Sequence, residues 1–215
     1  EMGYQACLQA STGEMAEGNA GAGTGATVGK IFGMQQAMKS GIGTSSLDAG
    51  GGVVVGAIAA VNAFGDVVDP RTGAIIAGAR SGKLGPFQLG QPGYFADTLS
   101  VLRTPVGRAI TRLMAARSTV ICVVATNAKL TKSGATKVAQ MAQGGLIKTI
   151  NPVHTTFDGD LVFALSMGNI EADINKVGVL AEFVVAEAIK RAVKKADGFG
   201  LIPAFKDTHK GWKAG

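Results

Sequence analysis

The chain has 215 residues, 47% of them hydrophobic and 17% charged, enough for one substantial core or two small ones and too apolar for a disordered chain. Its 32 glycines are about twice the usual share of roughly 7%; they follow no Gly-X-Y period, so they mark tight turns and close backbone approaches rather than a collagen helix. The net charge of +6 is concentrated in "IKRAVKKADGFGLIPAFKDTHKGWKAG" without an aromatic-interleaved stripe or a nucleic-acid-binding module, so it reads as a solvated helix face and tail, and no nucleic-acid partner is expected.

Residues 1–16 are mildly polar and are read as closing a helix. The Gly-rich run "EGNAGAGTGATVGK", Glu17 to Lys30, and a second Gly/Ser-rich patch, Ser40 to Gly52, follow. Val53 to Val61 reads as a buried strand ended by Asn62. Asp66 to Arg80 reads as a hairpin, with Pro70 presetting a turn and Gly73 supplying its flexible position. Ser81 to Asp97 is expected as an exposed loop, and a helix is expected near Val101 to Met114. Val120 to Ala125 is an uninterrupted apolar run, expected as a strand buried on both faces. Lys132 to Gln143 is expected helical and Leu161 to Leu165 a further strand. Ile174 to Val193 has the 3.6-residue period of a long amphipathic helix, stopped by Gly198 and Gly200. Mixed strands and helices predict an α/β or α+β layer structure.

Two cysteines, Cys7 and Cys122, make neither a disulfide framework nor a CxxC metal site. Cys122 lies inside the apolar run and reads as a small core residue; this usage fits a reducing cytoplasm, the expected location. No apolar run approaches the roughly 18 residues of a membrane span, and no signal-peptide pattern is present. The chain begins at Glu1 rather than Met, which raises the expectation of a fragment or a processed product.

Several stretches suggest chemistry without assembling into one site. Gly29-Lys30 fails the phosphate-loop pattern, since position 24 is Thr and position 31 is Ile. Gly21-x-Gly23-x-x-Ala26 loosely fits a dinucleotide fingerprint, but no strand precedes it and no acidic residue follows at the required distance. The same glycines would let the backbone approach another group closely, with Lys30 delivering a charge there. "HTTFDGD", His154 to Asp160, offers one His and two carboxylates. That is a thin set for a metal, a triad without a nucleophile elbow, or simply a turn in which Asp-Gly adopts positive φ. Asn62 is either a strand terminator or an amide donor to an oxyanion. Ser118 and Thr119 stand at the mouth of the apolar run, as strand punctuation or as a nucleophile.

Taken together, "GNAGAGTGATVGK", "GIGTSS", "VVVGAIAAVNAFGDVVDPRTGAIIAGAR", "STVICVVATNAKLTK" and "INPVHTTFDGDLVFALSMG" resemble the L-aminopeptidase/D-esterase family, self-cleaving N-terminal-nucleophile hydrolases that include β-peptidyl aminopeptidases and nylon-oligomer hydrolases. The resemblance runs from about Tyr4 to the end of the long helix. It implies an α+β fold, an αββα sandwich shared with the ornithine acetyltransferases, in a single catalytic domain over 1–215. It implies autoproteolysis before Thr119, giving 1–118 and 119–215, with Ser118 where the family usually has Asn or Gly. It also implies that the family's N-terminal portion has no counterpart ahead of Glu1.

By the same resemblance Thr119 is the nucleophile, Asp158 and Asp160 orient it, Lys30 balances charge, and Asn62 stabilises the oxyanion. Neither a metal nor an organic cofactor is implied. The expected activity is hydrolysis of small peptides, amides or esters through an acyl-enzyme, by a homo-oligomer with no membrane partner. The alternatives are acyl transfer of the ornithine acetyltransferase type and an uncleaved, non-catalytic scaffold.

Overall fold

Alternate residues of "VVVGAIAAVN" and "TVICVVATNA" fall on opposite faces of the central sheet, and both sets are largely apolar. The structure, a computed structural model, describes residues 1–84, 87–90, 93–105, 107, 109–110 and 118–208. Helix α1 (Met2–Leu8) opens the chain, and β1 (Thr27–Val28) and β2 (Met38–Lys39) pair antiparallel after it. Strands β3 (Ile42–Gly50) and β4 (Val53–Asn62) are followed by two hairpins: β5 (Asp66–Val68) with β6 (Ile75–Ala77), and β7 (Gly82–Leu84) with β8 (Phe87–Leu89). Helix α2 (Thr98–Leu102), β9 (Thr119–Ala128), α3 (Lys132–Thr149), β10 (Ile150–Asn151), β11 (Leu161–Ile170) and α4 (Ile174–Lys195) complete the elements used below.

The main sheet runs in the order β11-β9-β4-β3, with β11 parallel to β9 and the other neighbours antiparallel. Val53, Val55, Ala59 and Val61 of β4 and Val120, Cys122 and Val124 of β9 point to one face and are buried. There they meet Val138 and Leu146 of α3 and Val177, Val184, Ala188 and Ile189 of α4. Each fully buried Val or Leu contributes roughly 1.5–3 kcal/mol, so this one interface dominates the stability of the domain. Both helices start on side-chain caps: Thr131 accepts from the Gly134 N–H and Asp173 from the Lys176 N–H. α4 ends on Lys194 and Lys195, which complement the negative end of its dipole.

The α+β expectation holds, and several boundaries move. The strand at Leu161 runs on to Ile170 and the helix at Lys132 to Thr149. The expected loop Ser81–Asp97 contains the β7–β8 hairpin and buries Ala96. Of the helix expected near Val101–Met114, Thr98–Leu102 is described, and 111–117 lie outside the described residues. Val120–Ala125 is not buried on both faces: Ile121 is 44% exposed, beside Leu161 and Phe163 at 51% each. The physical reason is that α3 and α4 cover one side, and no described element lies across the other. Among the described residues no helix is long and apolar enough to cross a membrane.

A side arm carries the site's surroundings. Asp66 is fully buried; its carboxylate accepts from the Ala79 N–H at 2.7 Å, the Thr98 N–H at 2.7 Å and the Thr98 hydroxyl at 2.8 Å. It thereby pins both ends of the excursion from Arg80 to Asp97. Burial pushes its carboxyl up to about 6, against the pull of those three donors.

Close approach of backbone sets the layer spacing. A Cβ at Gly43 of β3 would strike the Ala188 carbonyl oxygen of α4, and one at Gly145 of α3 would lie 2.6 Å from the Glu182 carbonyl oxygen of α4. Gly43→Ala is therefore expected to lower stability by about 2 kcal/mol, read as a lower urea midpoint at unchanged slope. An unaltered midpoint would mean that the helix layer does not rest on the sheet at this distance.

Candidate active site

The Gly-rich run positions Lys30 by lying against the segment that leaves β4. Gly29 donates its N–H to the Gly65 carbonyl at 2.9 Å and Lys30 to that of Phe64 at 2.9 Å. Gly29 has φ +71°, and a Cβ there would collide with the backbone of Gly78 and Ala79. The glycine thus serves conformation and closeness together, and the lysine beside it is carried inward. Lys30 is 4% exposed. Its ammonium donates to Asn62 Oδ1 at 2.6 Å and the Asn62 carbonyl at 3.0 Å, and reaches the Ser118 hydroxyl at 3.3 Å. Burial lowers the ammonium to about 8, partly offset by the carboxylate of Asp158.

Asn62 ends β4 and is paired in register with Thr119, the first residue of β9. Its Oδ1 accepts from Lys30 and from the Thr27 N–H at 3.2 Å, which turns the amide nitrogen away from both donors. Ser118 is 2% exposed; its N–H donates to the Phe157 carbonyl at 3.0 Å. The Ser118 carbonyl accepts two hydrogen bonds, one from the Thr119 hydroxyl at 2.6 Å and one from the Gly159 N–H at 2.9 Å.

The two carboxylates of "DGD" hold the backbone on either side of that junction. Asp158 Oδ1 accepts from the Phe64 N–H at 3.1 Å, and its Oδ2 from the Thr155 hydroxyl at 2.5 Å. Asp160 Oδ1 accepts from the Val120 N–H at 2.8 Å; its Oδ2 faces the N–H of His154 at 3.2 Å and its ring Nδ1 at 3.4 Å. Burial pushes the Asp160 carboxyl up, and the nearby Asp158 adds to this. Among the described residues neither carboxylate bonds the Thr119 hydroxyl; their grip is on its neighbours. Beneath the site, Phe64 and Phe157 stack with centroids 5.0 Å apart, over a small core of Ile31, Ala79, Ala96 and Val101.

All five residues singled out from the sequence, Lys30, Asn62, Thr119, Asp158 and Asp160, are therefore joined in one network of contacts. Ser118, read from the sequence as strand punctuation or a nucleophile, meets Lys30 through its hydroxyl. Two participants were not singled out: Thr155 buttresses Asp158, and the Gly159 N–H holds the Ser118 carbonyl. Of these only Thr155 has a local signal, a hydroxyl three residues before an aspartate. The turn expectation for Asp-Gly fails in detail: positive φ falls on His154 (54°), and Gly159 lies outside that region. Cys122 is a buried thiol pushed up to about 12 by desolvation, a packing residue rather than a nucleophile. Among the described residues no group of three His, Cys, Asp or Glu side chains could hold a metal ion.

Comparison with known proteins gives the chain a lineage. Residues 1–200 match peptidase family S58. An uncharacterized aminopeptidase of Mycobacterium leprae is 34% identical over 232 residues, covering 95% of this chain and 58% of that protein. The chain thus spans less than two thirds of that relative's length. Among solved structures, the L-aminopeptidase D-Ala-esterase/amidase of Ochrobactrum anthropi, described as a variant of the Ntn hydrolase fold, superposes with TM-score 0.57 at 21% identity over 90% of this chain and 49% of its own. A Burkholderia β-aminopeptidase superposes with TM-score 0.55 at 24% identity over 98% of this chain and 59% of its own. The fold is that of the Ntn hydrolases, and the chain belongs to peptidase family S58.

Proposed function

We propose that the chain carries the catalytic centre of an N-terminal-threonine hydrolase that cleaves itself between Ser118 and Thr119. It then hydrolyses small peptides, amides or esters through an acyl-enzyme on Thr119. The observation that carries this reading is the Thr119 hydroxyl, 2.6 Å from the carbonyl oxygen of the bond to be cut, at the rigid end of a strand and within one network with Lys30, Asp158 and Asp160.

In the first step Thr119 Oγ1 bonds to the Ser118 carbonyl carbon, the Ser118–Thr119 C–N bond breaks, and the hydroxyl proton ends on the Thr119 nitrogen. The amide has become an ester. Water then cleaves that ester, leaving a Ser118 carboxyl group, the Thr119 hydroxyl and a new α-amine. An α-amine titrates at roughly 7.7–8.0, so near neutral pH it can act as the general base that a weak hydroxyl nucleophile needs. In each later turnover the same hydroxyl attacks the substrate carbonyl, the amine or alcohol leaves with the proton, and water releases the acid. Lys30, as an ammonium, holds Asn62 and the Ser118 side of the junction and balances Asp158. Asp160 fixes the amide that follows the nucleophile. The relatives named aminopeptidase, β-aminopeptidase and esterase/amidase support this substrate class.

Thr119→Ala is expected to remain a single chain and to lose ester turnover by about 10³-fold or more, with its thermal midpoint close to the parent's; Thr119→Ser is expected to retain both activities. Cleavage and turnover in the folded alanine variant would overturn the assignment.

The pH dependence of self-cleavage carries a sign. Lys30 titrates at about 8 in the fold, so its ammonium is present below that pH and lost above it. The self-cleavage rate is expected to fall as pH rises through about 8, and the alkaline limb is expected to vanish in Lys30→Met, which cleaves about 10²-fold slower at neutral pH. An unchanged profile in the variant would remove Lys30 from the mechanism.

A further inference from the structure

Self-cleavage, the reading this inference rests on, puts negative charge on one atom, the Ser118 carbonyl oxygen. Asn62 is the residue expected to receive it, yet its amide oxygen is held by Lys30 and the Thr27 N–H, and among the described residues its amide nitrogen makes no bond to Ser118. The N–H that does point at the Ser118 oxygen, at 2.9 Å, is that of Gly159.

Two further observations bear on this contact. Ser118 and Asp158 form an isolated parallel bridge ahead of the β9–β11 ladder, so pairing alone accounts for the hydrogen bond but not for the glycine. Nor does backbone conformation demand a glycine, because the φ of Gly159 lies outside the left-handed region. What the missing side chain leaves free is the space beside the nucleophile: a Cβ at 159 would lie 3.1 Å from Thr119 Oγ1 and 3.9 Å from the Ser118 oxygen. The flanking carboxylates lock the donor in place. Asp158 is tied to Phe64 N–H and Asp160 to Val120 N–H, so the amide between them cannot follow a moving ligand.

We infer that the Gly159 backbone N–H is the oxyanion donor of this centre. It stabilises the tetrahedral intermediate first on the Ser118 carbonyl during self-cleavage and then on the substrate carbonyl in every turnover. The second role applies where the substrate carbonyl oxygen takes up the position beside Gly159 N–H that the Ser118 oxygen leaves on cleavage. A preorganised N–H of this kind, aimed at the position where charge develops, typically accounts for 10²–10³-fold in rate.

The test compares Gly159→Ala, which keeps the N–H and adds the crowding Cβ, with Gly159→Pro, which removes the N–H as well. Self-cleavage is followed by intact mass and ester turnover in the matured protein, with thermal melts to verify folding. The alanine variant is expected to slow by up to about 10-fold, and the proline variant by about a further 10²–10³-fold in both reactions. A folded proline variant within about threefold of the alanine variant would overturn the inference while leaving the nucleophile assignment intact; a parent chain that never cleaves would take both down.

Should the proline variant not fold, uncleaved Thr119→Ala labelled with ¹⁵N and ¹³C tests whether the donor reaches its acceptor. A scalar coupling across the hydrogen bond from Gly159 nitrogen to the Ser118 carbonyl carbon is expected, and its absence would refute the donor.

Discussion

A lysine ammonium buried to 4% exposure is the constraint on which the rest of this structure turns. A charge taken out of water is costly unless each of its donors is satisfied and an opposite charge lies near. Lys30 meets those demands with the Asn62 side chain and carbonyl, the Ser118 hydroxyl, and the field of Asp158. Those partners belong to the end of β4, the residue before β9 and the loop before β11. One ammonium therefore ties together three chain segments that meet at the bond before Thr119. The hydrophobic layer of α3 and α4 gives the sheet its stability; this polar knot gives the sheet's end its geometry.

The knot also explains the glycines around it. Gly29 sits so close to Gly78 and Ala79 that no side chain could replace its hydrogen, and Gly78 in turn leaves room for the Asp66 carboxylate, which a Cβ would strike. Ala96, near the end of the excursion that Asp66 pins, packs in one small core with Ile31 and Phe64, the neighbours of Lys30 in sequence and in backbone pairing. Packing, backbone approach and charge burial thus serve one purpose, a fixed carbonyl and a fixed hydroxyl at the mouth of β9.

Much of this was legible in the amino acids. The apolar run of β4, its end at Asn62 and the 3.6 period of α4 are local signals, and they mark local structure correctly. The exposed side of β9 was not legible, because Ile121 and Val123 are as apolar as Val120 and Val124. Residue type cannot say which face a helix layer will cover. Lys30, Asn62, Thr119 and the aspartates were found through a family resemblance. Spacing alone left them scattered over 131 positions, from Lys30 to Asp160. The Gly159 N–H had no signal, since a backbone donor carries no side-chain signature, and Ser118 was legible only as strand punctuation or as an alternative to Thr119.

The central claim is that the Ser118–Thr119 bond is built to be cut from within. The most direct measurement is the intact mass of the folded protein as it matures, with N-terminal sequencing of what forms. The account predicts two fragments, one ending at Ser118 and the other beginning at Thr119. A folded 21.7 kDa chain that stays whole, or a cut at any other bond, would contradict it.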